Sequence, residues 1–315
     1  MRKYVIDDLV QGQVQFLGQE IDDFIIARKD GTATYFLASA IDDIDYKITH
    51  IIRGDDHLTN TPKTLAIYSA MNIELPLFAH IPLVHDIHGR KMSKRNSNVA
   101  FVDYYKDYLA SSIFHYLTLL GNGMNHGVQD EFSIDYSKFD LSKVGLAAAR
   151  FDINKLQYYN KYYILHHSNL FAQLCERKII NDHMLQNNSK EILSKIIDLV
   201  KSRCTVLSDF NKYITMYLSD TKYNGFDDVN LVVVNNIDLI CEIVSNNISD
   251  TKMIFKALKE LAQENSIHVK FIMEGLRIII AGVNESPSIL EMIQFIGVDV
   301  FGKRIEHWKG IVNKL

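Results

Sequence analysis

The sequence predicts an α/β region followed by an all-α region, and three observations carry that expectation. A strand, helix, strand run ends near Val84, the basic hairpin loop Lys91-Met92-Ser93-Lys94-Arg95 follows, and beyond about Tyr104 strand-like text gives way to amphipathic helices. With 315 residues the chain has room for two or three domains with sizeable cores.

The elements follow in order. From Gln11 to Gly31 the text alternates at Val14 and Phe16, continues through Phe24 to Ala27, and meets the turn signal Asp30-Gly31, which predicts strands and a hairpin. Residues 34–45 place Tyr35, Leu37, Ala38, Ile41 and Ile44 in a helical rhythm. Residues 48–53 are a β-branched run closed by Gly54, and Thr61-Pro62 opens a helix carrying Leu65, Ile67, Tyr68 and Met71. Residues 77–84 return to strand text, so a parallel pair joined by a crossover helix is expected, part of a doubly wound sheet. In the helical region the apolar stripe Ile192, Leu193, Ile196, Ile197, Leu199 and Val200 marks the clearest helix. Residues 181–190 read as a polar connector and the best internal boundary, and 282–287 as a second loop between helices.

Composition narrows the class. Hydrophobic residues make up 47% and charged residues 23%, the balance of a globular chain rather than a disordered one. A net charge of −4 and a pI near 6.3 provide no global positive field, so contact with nucleic acid would rest on local basic patches. Cys175, Cys204 and Cys241 lie far apart without C-x-x-C spacing, so they read as ordinary thiols in a reducing compartment. No apolar run approaches the roughly 18 residues of a membrane span, and the opening residues turn acidic before a signal-peptide core could form; a cytoplasmic protein with no membrane partner is expected. The abrupt opening suits a chain that starts inside a fold.

Three constellations could carry chemistry. After the turn Ile87-His88-Gly89, the loop gathers Arg90, Lys91, Lys94 and Arg95, and lysines act as point charges suited to a polyphosphate. An arbitrary K-x-x-K is usually a solvated turn, but the whole pentapeptide after a strand favours a phosphate clamp. The second, Arg53-Gly54-Asp55-Asp56-His57, stands at the carboxyl end of a strand, where open α/β sheets bind ligands. There Arg53 can grip a carboxylate with two parallel hydrogen bonds. Its acids read as a helix N-terminal cap sooner than as metal ligands. Nearby, Tyr35 reads as core or as a crevice-facing hydroxyl, His80 as a buried strand histidine, and His85 with His88 as exposed loop histidines. The third, Phe151 to Leu156 with Tyr158, Tyr159, Tyr162 and Tyr163, interleaves aromatics with Lys155 and Lys161; it reads as an RNA contact or as a packed helix face.

Taken together, residues 31–35, 51–58, 60–62, 79–83, 91–95 and 151–156 resemble, in order, the class I glutamyl-tRNA synthetases of the bacterial type. The stretch Leu276-Arg277, Gly282, Pro287 and Gly297 resembles that family's helical anticodon-binding region. The resemblance implies a partial Rossmann-like catalytic domain over 1–103, a helical stem-contact region over 104–185 and a helical anticodon-binding domain over 186–315. It implies attachment of glutamate to tRNA(Glu) with ATP and Mg²⁺. Tyr35 and Arg53 would contact glutamate, and His57, Lys91, Met92, Ser93 and Lys94 would contact ATP. Lys94, with Lys91, would stabilise the departing pyrophosphate, and Lys155 and Arg277 would meet tRNA.

The departures shape a further expectation. None of the 12 histidines belongs to an H-x-G-H element, the usual partner of the lysine loop, and Asn96-Ser97, Ala110-Ser111 and Asn122 replace residues usual in the family. The reading is therefore a truncated or split synthetase that is inactive alone, with a separate N-terminal synthetase fragment as a further partner. The alternatives are a non-catalytic tRNA-binding module or a decayed paralogue. A nicotinamide-dependent dehydrogenase is disfavoured, since no glycine fingerprint follows a strand.

Overall fold

The computed structural model describes residues 3–92, 101–121, 137, 139–218, 231–283 and 285–312. It divides into two compact units, Met1–Tyr105 with Ala110–Tyr159, and Lys106–Leu109 with Asn160–Leu315.

The first unit opens with an antiparallel hairpin of β1 (Lys3–Asp8) and β2 (Gly12–Leu17), with Lys3 opposite Leu17 and Asp8 opposite Gly12. Strand alternation turns Ile6 and Asp8 inward. This corrects the expectation of strands from Gln11 to Gly31, since the sheet begins earlier and loses regularity after Leu17. Beyond it only the bridge of Ala27 with Ala33 remains, around a turn closed by Gly31 N–H to Arg28 O at 3.0 Å. The reason is packing, because Phe24 lies edge-on against Phe36 at 5.7 Å between ring centres instead of joining a sheet.

Next come α1 (Tyr35–Asp45), β3 (His50–Gly54), a 3₁₀ segment over Asp55–Asn60, α2 (Thr61–Ala70) and β4 (Leu77–Ile81). β3 and β4 run parallel, from His50 beside Leu77 to Gly54 beside Ile81, so the crossover read from the sequence is present. β4 stops at Ile81 rather than Val84, because Pro82 has no N–H to give. α2 packs on two sides. Leu65 joins Ile6 and Phe78 under the strands, while Ile67 and Tyr68 join Ala40 of α1. The end of β1 lies along β4, with Leu9 N–H donating to Phe78 O at 2.8 Å.

The signature loop is approached through a tight turn. His85 pairs with Lys91 on one side and with Arg150 on the other, and Asp86 Oδ1 accepts from His88 N and Arg90 N, each at 2.9 Å. Helices α3 (Phe101–Tyr105), α4 (Ala110–Leu119) and α5 (Ile153–His166) complete this half, and the division between units falls within α5.

The second unit is helical in its described residues: α6 (Leu170–Glu176), α7 (Asp182–Asn187), α8 (Lys190–Val200), α9 (Asp209–Leu218), α10 (Leu231–Asn235), α11 (Ile237–Asn246), α12 (Thr251–Glu264), α13 (Val269–Ala281) and α14 (Ile289–Val312). The polar connector expected over 181–190 is instead mostly α7, started by the Asn181 side chain accepting from Met184 N at 3.0 Å. Residues on both sides of 185, among them Leu174, Ile180 and Leu193, share one core. In α8, Leu193, Ile196, Ile197 and Val200 are buried, whereas Ile192 and Leu199 flank that face and are exposed. Gly282, at φ 71°, caps α13, a left-handed conformation that suits a residue without Cβ. Gly297 breaks the helical run of α14. Arg304 on α14 is buried and donates to Met216 O, Tyr217 O and Ile280 O at 2.8 to 3.0 Å, crossing the carboxyl ends of α9 and α13. Among the described residues, no helix is long and apolar enough to cross a membrane.

Candidate active site

The site forms where β3 and β4 end. Arg53 and His80 occupy paired positions on the two strands, so their side chains meet directly. Arg53 Nε donates to His80 Nε2 at 3.0 Å and Arg53 Nη2 donates to Thr61 Oγ1 at 2.9 Å. The guanidinium also lies over the Phe78 ring, 5.7 Å from its centre. One edge of the guanidinium is thus held by the protein. The end edge, with Nη1 and the second Nη2 hydrogen, meets no hydrogen-bond acceptor among the described residues. Such an edge can receive a carboxylate with two parallel bonds.

His80 is fully buried and bonded on both ring nitrogens. Its Nδ1 stands 2.6 Å from Asp8 Oδ2, and its backbone N–H donates to both Asp8 oxygens at 3.1 Å. Val10 N and Gln11 N donate to Asp8 Oδ1 at 3.0 and 2.9 Å, and Gln11 Nε2 reaches His80 O at 2.9 Å. Burial works to raise the Asp8 pKa, but donors from Gln11, His80 and Val10 prevail and hold the carboxyl below its usual value. For His80, burial dominates and lowers the pKa, which keeps the ring neutral. Burial likewise lowers that of Arg53, opposed by Tyr35, Asp43 and Asp8.

Around this centre stand the other expected residues. Tyr35, the first residue of α1, is exposed rather than core, and its ring lies 6.2 Å from that of His57. His57 Nδ1 is buried and has no hydrogen-bond partner among the described residues. Asp55 and Asp56 make no side-chain cap, contrary to the expected capping role; Asp56 Oδ2 instead accepts from Lys91 Nζ at 2.9 Å. That bond is the chief cause holding the Asp56 carboxyl below its usual pKa. A Cβ at Gly54 would stand 2.6 Å from Asp56 Oδ1 and 3.1 Å from Leu83 Cδ2, so the Asp56 side chain would have to shift to admit one. Lys91 and Met92 close the hairpin, with Met92 N–H to Val84 O at 3.1 Å. Ser93 and Lys94 lie outside the described residues.

The two residues expected to meet tRNA lie elsewhere. Lys155 is exposed on α5 and, with Arg150, Asp152 and Tyr116, lines a cavity of about 260 Å³. Arg277 on α13 is half-buried and donates through Nε to Ser286 Oγ at 3.1 Å. The aromatics of α5 divide, with Tyr159 buried beside His115 and Tyr158 exposed. No group of three His, Cys, Asp or Glu side chains able to hold a metal occurs among the described residues.

The sequence reading missed Asp8, Gln11 and Thr61. Asp8 had one signal, an acid at an inward alternate position two residues after Ile6, but its partner is 72 positions away.

Residues 1–158 match the catalytic domain of the class I tRNA synthetases (E and Q), and residues 169–309 match an anticodon binding domain. The chain belongs to the class I glutamyl- and glutaminyl-tRNA synthetases. Within that family it is 35% identical over 319 residues to glutamate–tRNA ligase 1 of Orientia tsutsugamushi, covering 98% of this chain and 66% of that one. It is 34% identical to glutamate–tRNA ligase 2 of Rickettsia akari, covering 96% of this chain and 67% of the other. The crystal structure of a glutamate tRNA ligase from Elizabethkingia meningosepticum, in complex with its amino acid, shares the fold with a TM-score of 0.79 at 24% identity, over 97% of this chain and 66% of that one. The chain thus spans about two thirds of the length of the synthetases it matches.

Proposed function

We propose that this chain recognises glutamate and tRNA(Glu) as part of a glutamate–tRNA ligase, in a reaction that joins the two through glutamyl-adenylate at the expense of ATP. The observation that carries this reading is the Arg53 guanidinium, held on one edge by His80 and Thr61 with its end edge open. A carboxylate is the ligand that two such N–H donors fit best. Arg53 takes the side-chain carboxylate of glutamate and Tyr35 lines its path. His57, half-buried with its ring beside that of Tyr35, takes a contact to ATP, and Lys91, Met92, Ser93 and Lys94 form the phosphate clamp, with Lys94 steadying the leaving pyrophosphate. Mg²⁺ enters with the polyphosphate, as it commonly does at sites lacking a protein cage.

Residues 1–103 serve adenylate chemistry, 104–185 the tRNA stem through Lys155, and 186–315 the anticodon through Arg277. Because the sequence contains no H-x-G-H element, the isolated chain is expected to bind its ligands without forming adenylate, a separate polypeptide with that element completing the site in a cytoplasmic setting.

Three measurements on the purified chain test this. Calorimetry should detect glutamate, a gel shift should detect tRNA(Glu), and ATP–pyrophosphate exchange should be absent. Exchange by the chain alone would contradict its inactivity. Retention of tRNA without any glutamate binding would replace the ligase reading with that of a tRNA-binding module, and loss of both with a decayed paralogue.

A further inference from the structure

We propose that Asp8 is a positioning residue for the Arg53 fork: it dictates which nitrogen of His80 carries the proton, and through His80 it fixes how the guanidinium faces its ligand. The inference rests on the reading that Arg53 takes the glutamate carboxylate.

The argument is one of donors and acceptors. Arg53 Nε can only donate, so His80 Nε2, 3.0 Å away, must present a lone pair. The proton of the neutral ring then sits on Nδ1, facing Asp8 Oδ2 at 2.6 Å. An ionised carboxylate can only accept, and Asp8 meets donors alone: Val10 N, Gln11 N, His80 N and His80 Nδ1. Thr61 completes the chain: its hydroxyl accepts from Arg53 Nη2 at 2.9 Å and stands 3.1 Å from His80 Nε2, and because Arg53 Nε takes that nitrogen's one lone pair, the hydroxyl proton goes to His57 O at 3.3 Å. Each link fixes the next, from β1 to the open edge of Arg53.

An asparagine at position 8 would reverse the sequence of bonds. With its oxygen kept by the Val10 and Gln11 N–H groups, its NH₂ would face His80 Nδ1 and drive the proton to Nε2. There it would meet the Arg53 N–H head-on. The same exchange in a catalytic Asp-His pair leaves geometry intact while imposing the wrong tautomer.

The test uses the full chain. Nitrogen-15 NMR of the histidines should place the His80 proton on Nδ1 in the parent near pH 7, and on Nε2 in Asp8→Asn. Calorimetry should give at least about tenfold weaker glutamate binding in that variant, with recovery in Asp8→Asn/His80→Gln, whose glutamine oxygen can accept from Arg53 without any tautomer. Arg53→Lys serves as the reference and should abolish binding. If Arg53→Lys loses glutamate while Asp8→Asn binds like the parent, this inference fails and the Arg53 reading stands. If Arg53→Lys binds like the parent, or the parent binds no glutamate, both fail. A parent whose His80 proton lies on Nε2 overturns the inference without any variant, which keeps it falsifiable if Asp8→Asn does not fold.

Discussion

Replacing Arg304 with methionine should lower the stability of the second unit by about 3 kcal/mol. The guanidinium is buried and donates to Met216 O, Tyr217 O and Ile280 O. Hydrogen bonds to a charged group contribute about 1.5 to 3 kcal/mol each, so the three would amount to roughly 4.5 to 9 kcal/mol if they were additive. Methionine fills the space of the stem, and removing a buried charge returns several kcal/mol of desolvation, which leaves the net loss near the figure above. Two effects keep it from vanishing. The three carbonyls lose a donor that methionine cannot replace, and the carboxyl ends of two helices lose a cation. For a unit of this size the loss corresponds to a melting temperature lower by about 6 to 12 °C. Scanning calorimetry of the full chain would follow it. A shift under about 2 °C would refute the reasoning by showing that these carbonyls do not depend on Arg304.

Two other outcomes follow from the first unit. Asp56→Asn removes the partner of Lys91 from a pair whose side chains are about half exposed, so stability should stay within about 1 kcal/mol while inorganic tripolyphosphate binds up to about fivefold tighter by calorimetry. Unchanged or weaker binding would show that Asp56 and phosphate do not compete for Lys91. The second concerns pH. Burial holds His80 below its ordinary value of 6.5, so the unfolded chain binds the proton first as pH falls, and the stability His80 contributes is complete above 6.5 and lost below it. Asp8, held below its ordinary 3.8, acts in the same direction at lower pH, and His167, lowered by burial and by Arg177, does so in the second unit. Melting temperature should therefore decline from pH 7 to pH 5, and a flat or rising profile would contradict the neutral His80.

What was legible in the sequence was local. α1, α2, β3 and β4 each write their pattern in consecutive residues, and the strand, helix, strand order sufficed to imply a parallel pair. β1 was not legible, because its inward positions are held by Ile6 and a charged Asp8, which breaks the hydrophobic alternation that marks a strand. α7 was obscured by the polar run 181–190, where Asn181 reads equally as loop or as cap. Arg53 and Tyr35 stand out as candidates in their motifs, but the reason Arg53 points as it does is not written there. Asp8 and Thr61 are bland as letters and gain meaning only when β1 and α2 bring them to His80. Tyr35 reads as core by residue type and is exposed because it begins its helix at the rim.

If Arg53 takes a carboxylate as proposed, its locked edge also bears on discrimination between near-identical amino acids. Its open end offers N–H groups alone, and its side contacts with His80 and Thr61 prevent it from turning away. A carboxylate answers with two acceptors, whereas the carboxamide of glutamine answers with one acceptor and one donor. The mismatch leaves two N–H groups confronting each other, at a cost of about 1 to 3 kcal/mol when desolvated. A guanidinium free to swivel could evade that clash; one clamped from behind cannot, so rigidity on the protein side becomes selectivity on the ligand side.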